Sequence, residues 1–154
     1  KKTGLPNREK LNIYIGEMAG KVLPEAFTCF TLSLDNLSEL TKRFGYTVGD
    51  GVLKDFAGLV QLMGDTEGMR GYNGIGRFVV FFEECSSKKA AAMIRILDNQ
   101  VEEYNSLNPE YPIRYTATWA TTEETDTYEI RELLRLSQKK WKQMEKAKEQ
   151  SSCN

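Results

Sequence analysis

Gly74-Ile75-Gly76 constrains the fold of this chain more than any other stretch. It lies between Gly68-Met69-Arg70-Gly71-Tyr72-Asn73 and the dense apolar run Phe78-Val79-Val80-Phe81-Phe82. Glycines between two short extended segments supply the backbone freedom of a tight connection, so the stretch predicts a β-hairpin. Taken alone, it is a turn and nothing more.

Elements of both periods surround it. Helices are predicted from about Arg8 to Met18, with Asn7 as N-cap, and from a start at Asp35-Asn36-Leu37-Ser38 to about Phe44, with Asp35 as N-cap. A third carries Val48, Val52, Phe56, Leu59, Val60 and Met63 on one face, with Thr47 to Asp50 resembling a capping box. A long helix opens at Ser86 or Ser87. A final one runs through Ile130, Leu133, Leu134, Trp141 and Met144, capped by Thr125-Asp126-Thr127. Strands are predicted over 27–35 and 113–120. In the first, Phe30, Leu32 and Leu34 alternate with Thr31, Ser33 and Asp35, which places Ser33 and Asp35 on one polar face.

The order helix, β, α, α, β, β, α, β, α predicts an α/β sandwich. Its core is a ferredoxin-like βααββαβ unit. No repeat, low-complexity segment or composition shift marks a second domain, so residues 1–154 read as one domain with a frayed tail at 151–154.

Composition narrows the chemistry. Histidine is absent, which removes the commonest general base and transition-metal ligand. Cys29, Cys85 and Cys153 are odd in number and widely spaced, giving neither a disulfide framework nor a CxxC metal pair; this suits a reducing, cytoplasmic compartment. A net charge of -1 gives no general pull toward nucleic acid, and no apolar run is long enough for direct membrane insertion. In the last helix Arg131, Arg135, Lys139, Lys140, Lys142, Lys146 and Lys148 form a basic series, either a solvated face or a surface for an acidic partner.

Four motifs in order carry a family resemblance: Thr3-Gly4-Leu5-Pro6-Asn7-Arg8, Phe44-Gly45-Tyr46-Thr47-Val48-Gly49-Asp50, the hairpin, and Glu132-Leu133-Leu134. Together they resemble a GGDEF domain, the bacterial diguanylate cyclase fold, over essentially the whole chain. The resemblance implies a five-stranded mixed sheet flanked by helices, of nucleotide-cyclase and polymerase-palm type. Because the chain starts inside the opening motif, it also implies a portion of a longer multidomain signalling protein, cytoplasmic or the cytoplasmic part of a membrane-anchored sensor.

Active members of the family join two GTP molecules into cyclic di-GMP with two divalent cations held by carboxylates. The resemblance puts Ser33, Gly76 and Arg77 at those acidic positions. The signature loop becomes Gly74-Ile75-Gly76-Arg77-Phe78. An arginine repels the required cations, and a hydroxyl is a poor Mg²⁺ ligand without a neighbouring carboxylate. No resident cofactor or metal is therefore expected, and Mg²⁺ only where residual nucleotide binding survives.

The guanine-reading positions fall on Thr41, a loss, and Asp50, a retention that reads equally well as a helix cap. Asp35 matches a second family acid and has the same alternative. The inhibitory product site falls on Asp65 to Gly68, with neither Arg nor Asp in place. The phosphate-contacting Lys falls on Glu145. The resulting expectation is a catalytically inactive regulatory, dimerisation or signal-transmitting module. The alternatives are a GTP-binding sensor using Asp50, Thr41 and Arg77, and a weakly active divergent cyclase. Implied partners are GTP, other domains of the same chain, a homodimer, or a partner GGDEF or EAL protein.

Overall fold

The computed structural model describes residues 3–64 and 68–152. The elements run α1 (Arg8–Met18), β1 (Thr28–Leu34), α2 (Leu37–Phe44), α3 (Tyr46–Gln61), β2 (Met69–Gly74), β3 (Arg77–Phe82), α4 (Ser87–Leu107), β4 (Tyr115–Thr121), α5 (Thr122–Thr125) and α6 (Ile130–Ser152). The sequence order is thus recovered, with the short α5 turn added.

Among the described residues the sheet has four strands, in the order β2-β3-β1-β4. Every pairing is antiparallel. This corrects the five-stranded mixed sheet. The two crossovers do connect strands of like direction, but β3 lies between β1 and β2, and β1 lies between β3 and β4. Each strand therefore pairs only with one running the other way, as a ferredoxin-like order requires.

Period two sorts each strand onto two layers. Phe30, Leu32 and Leu34 of β1, with Phe78, Val80 and Phe82 of β3, meet α2, α3 and α4 in a core that includes Leu40, Val52, Phe56, Val60, Leu97 and Val101. Cys29, Val79 and Phe81 face the other way, toward α1 and the start of α6, where Leu11, Ile15, Ile130 and Leu133 cover them. All seven residues of β1 are buried, because both faces of the sheet are covered. Burial pushes the Cys29 and Cys85 thiols up, and both are free. Cys153 lies outside the described residues.

Helix starts were the least legible detail. Asn7 caps α1, its side chain accepting from the Lys10 amide at 3.1 Å, and Ser86 caps α4, accepting from the Lys89 amide at 3.2 Å. Asp35 caps nothing: α2 begins at Leu37, and Asn36 stands at its cap position without a side-chain cap bond. Buried Asn36 instead holds the segment before β4, donating to Pro112 O at 2.7 Å and accepting from the Arg114 amide at 3.2 Å. Gly45, not Thr47, stands at the cap position of α3, so Asp50 lies inside that helix and the capping-box reading fails. Glu129, not Thr125 to Thr127, serves α6, accepting from the amides of Arg131 at 3.0 Å and Glu132 at 3.2 Å. Long-range contacts chose where each chain segment turned, and the side chains nearest those turns took the orphan donors. Helix α6 continues through Ser152, into the segment read as a frayed tail.

Candidate functional site: a tryptophan-centred polar seam at the signature hairpin

Gly74 pairs with Arg77 in the β2–β3 ladder, leaving Ile75 and Gly76 as the two turn residues. Their φ angles are 54° and 72°, both positive, which defines a type I′ hairpin. Ile75 is a β-branched residue in the left-handed region and is 83% exposed. Such a conformation is costly for it, and no packing compensates. Gly76 is required: a Cβ there would stand 3.1 Å from Leu34 O. Its own amide donates to the Tyr72 hydroxyl at 2.9 Å, and its carbonyl accepts from the Leu34 amide at 2.7 Å. The turn is therefore held in shape by backbone contacts and by the Tyr72 hydroxyl.

Ser33 and Arg77 are cross-strand partners on the face covered by α6. Between them and the helix lies Trp141. Its indole N–H donates to Ser33 Oγ at 2.7 Å, and the Arg77 guanidinium stacks 4.5 Å from its ring centroid. Ser33 then donates onward to Asp35 Oδ1 at 2.6 Å. The other carboxylate oxygen, Oδ2, accepts from Thr116 Oγ1 at 2.5 Å and forms an ion pair with Lys148 Nζ at 3.1 Å. Thr116 Oγ1 also lies 2.9 Å from Glu145 Oε2, so its single proton is shared between two carboxylates, while Lys148 donates to the same hydroxyl.

The seam continues back along the helix. Thr31 and Ser137 hydroxyls are 2.8 Å apart, and Thr118 donates to Ser137 O at 2.9 Å. Ser137, Trp141, Glu145 and Lys148 recur at helical spacing. They meet Thr31 and Ser33 of β1 and Thr116 and Thr118 of β4, which recur at strand spacing. Ser33, Thr31, Thr116, Thr118 and Ser137 are all buried. No buried side-chain polar atom among the described residues lacks a partner, as a low-dielectric layer requires.

The positions expected from the resemblance to read a nucleotide do not join this cluster. Thr41 and Asp50 belong to the α2–α3 layer, on the opposite side of the sheet. There Gly49 lets the helices meet closely; a Cβ on it would overlap the Thr41 hydroxyl. Of the inhibitory-site positions, Asp65 lies outside the described residues and Gly68 precedes β2. Next to it, sequence reasoning missed Arg70. This buried guanidinium donates to Val60 O at 3.3 Å, Gly68 O at 3.2 Å and Met63 O, and stacks 4.9 Å from the Phe82 ring centroid. It thereby holds carbonyls at the C-terminal end of α3, and desolvation lowers its pKa from the ordinary arginine value.

Trp141 was legible only as an apolar-face residue, and Lys148 only as part of a basic series. The signal that joins them is the coincidence of helix-period and strand-period hydroxyls, which needs the layer pairing to be seen. The residues at the three acidic positions do not fit a divalent-cation pair: one hydroxyl already engaged twice, one glycine and one cation. Among the described residues no three acidic or cysteine side chains converge as a metal site, and no helix is long and apolar enough to cross a membrane.

No curated protein sequence is similar enough to count as a relative. Among solved structures, the chain is similar to the active GGEEF domain of a diguanylate cyclase from Vibrio cholerae, with 20% identity, TM-score 0.71 and 88% of each chain covered. It is similar also to the FimX GGDEF domain from Pseudomonas aeruginosa, with 17% identity, TM-score 0.72, and 90% of this chain and 87% of that one covered. A third is the diguanylate cyclase SiaD in complex with its activator SiaC, also from Pseudomonas aeruginosa, with 15% identity, TM-score 0.64, and 90% and 57% covered. These likenesses show the fold. The sequence profile of the family described as "Diguanylate cyclase, GGDEF domain" matches residues 1–152, and the chain belongs to the GGDEF family.

Proposed function

We propose that this domain is a catalytically silent GGDEF module, with a regulatory, dimerisation or signal-transmitting role in cyclic-di-GMP signalling. The observation that carries the reading is Trp141. It engages Ser33 by hydrogen bond and Arg77 by stacking, so two of the three positions that match metal carboxylates are tied into the packing of α6. Two-metal phosphoryl transfer needs carboxylates free to neutralise the triphosphate, and Arg77 brings the wrong sign. No resident cofactor follows from this site, and Mg²⁺ would arrive only with a nucleotide.

Output then passes through contacts. The partners that fit are neighbouring domains of the same chain, a second copy, or another GGDEF or EAL protein. That SiaD is held by a separate activator protein supports the use of this fold as a docking body. The test is incubation of the domain with GTP and Mg²⁺ followed by chromatography of the nucleotides. No cyclic di-GMP is expected, and turnover would establish the divergent-cyclase reading instead.

A GTP sensor is the second reading, favoured by the retained Asp50. Calorimetric titration with GTP to about 1 mM, where binding is worth only about 4 kcal/mol, separates the two. Saturable heat that is lost in Asp50→Ala establishes the sensor, and flat heats leave the contact-based role.

A further inference from the structure

Three cations of α6 are held by the protein itself. Arg135 pairs with Glu132, Lys140 donates to Trp119 O at 2.7 Å, and Lys148 pairs with Asp35 at 3.1 Å. Arg77 and Lys142 are not held in this way. Arg77 has its stacking contact with Trp141, and among the described residues neither side chain has a hydrogen-bond or ion-pair partner. Both line one cavity of about 180 Å³ between the β2–β3 hairpin and α6. Asn73 of β2 and Gln138, one turn before Lys142, line it as well, and their side-chain amides are likewise unengaged among the described residues. Thr31 and its cross-strand neighbour Val79 lie against it, with Trp141. A further guanidinium, that of Arg8, donates to Asn73 O at 2.7 Å. Among the described residues no carboxylate lines the cavity.

We propose that this cavity binds a single phosphoryl group without a metal ion. A guanidinium, an ammonium and two primary amides all bring donors, and a tetrahedral anion has enough acceptor oxygens to meet them together. A carboxylate, with two oxygens, meets fewer. The indole carries the guanidinium by its face, which leaves the planar N–H edge available for a paired bond. Size sets the limit. At about 30 Å³ per water, the space holds one phosphoryl group and a few waters, and a nucleoside attached to that group stays outside. The cavity is separate from the positions that the family resemblance assigns. Thr31 and Val79 take it along the strands away from Asp35, and Ser33, Asp35 and Glu145 do not line it. Thr41 and Asp50 stand on the opposite side of the sheet. The proposal therefore does not rest on the GTP-sensor reading, and inorganic phosphate alone tests it.

Trp141 is one of two tryptophans, so Trp119→Phe leaves its fluorescence as a reporter at the cavity. Sodium phosphate is titrated from about 0.1 to about 20 mM, without nucleotide or Mg²⁺, at a constant ionic strength of about 0.15 M. A saturable change is expected that sodium chloride does not produce. Arg77→Gln and Lys142→Gln, each in that background, are expected to weaken it at least about tenfold. Heteronuclear NMR on the unaltered protein gives a readout free of any variant: phosphate shifts the side-chain amide signals of Asn73 and Gln138. Glycerol 3-phosphate and GTP then distinguish the sources. Tighter binding of GTP through the same two cations assigns the phosphoryl group to a nucleotide tail, and equal binding of all three assigns it to free phosphate or a small phosphoester. No saturation, an equal change with chloride, unmoved Asn73 and Gln138 amides, or binding that survives both glutamine substitutions overturns the proposal.

Discussion

The two faces of the sheet are built from the same strands and sealed by different physics. Toward α2, α3 and α4 the layer is apolar and aromatic. Phe56 meets Phe78 at 5.5 Å and Tyr115 at 5.6 Å between ring centroids, and Phe30 meets Phe82 at 6.0 Å. Toward α6 the layer divides: Ile130 and Leu133 pack on Cys29, Val79, Phe81 and Ala120, and beyond Ser137 the contact is the hydroxyl and indole seam. Apolar burial is non-directional and large in sum. A buried hydrogen bond contributes only about 1 kcal/mol net, yet costs more than that when one partner is removed. The first face therefore supplies most of the stability, and the second fixes geometry at the signature hairpin.

Four substitutions break or sharpen this contrast. Phe56→Ala, on the apolar face, is expected to cost about 3–5 kcal/mol through the cavity it leaves; urea unfolding measures it as a lowered midpoint. Ser33→Asp puts a carboxylate beside Asp35, whose Oδ1 now accepts from the Ser33 hydroxyl at 2.6 Å, in a buried position beneath Trp141. Like charges in low dielectric are expected to cost about 2–3 kcal/mol, and added Mg²⁺ is not expected to restore the melting temperature. A full recovery with Mg²⁺ would mean that the seam opens readily and that the site remains metal-competent. Trp141→Phe keeps a ring under Arg77 and removes only the donor to Ser33. A loss of about 1–2 kcal/mol is expected, because one buried partner is left behind, and a loss as large as that of Phe56→Ala would erase the distinction between the two faces. Ile75→Gly relieves the left-handed turn and is expected to stabilise by about 1 kcal/mol. An unchanged or lowered midpoint would give the exposed isoleucine a packing role.

Gly74 and Gly76 retain the turn because Leu34 O and the type I′ geometry demand it, whatever the chemistry. Ser33 and Arg77 sit where the sheet meets α6, and there the Trp141 indole donates to the Ser33 hydroxyl and stacks on the Arg77 guanidinium. The backbone of the motif and the side chains of the motif thus obey separate constraints.

Period, punctuation and order were enough to read the helices, the hairpin, both long strands and the ferredoxin-like sequence of elements, because those depend on local backbone preference and on which residues avoid water. The residue types at positions 33, 76 and 77 likewise follow from the sequence once the motif is recognised. The tertiary structure decided what the sequence left open. Among the described residues it set four antiparallel strands in place of five mixed ones and moved the caps of α2, α3 and α6. It also took Asp35 from a helix cap to the hub of a hydrogen-bonded cluster. Trp141, Thr116 and Lys148 lie far from Ser33 and Asp35 along the chain, and only layer packing brings them into contact. Hydrogen bonds act over about 3 Å, so no spacing rule along a single segment can announce a cluster assembled from β1, β3, β4 and α6.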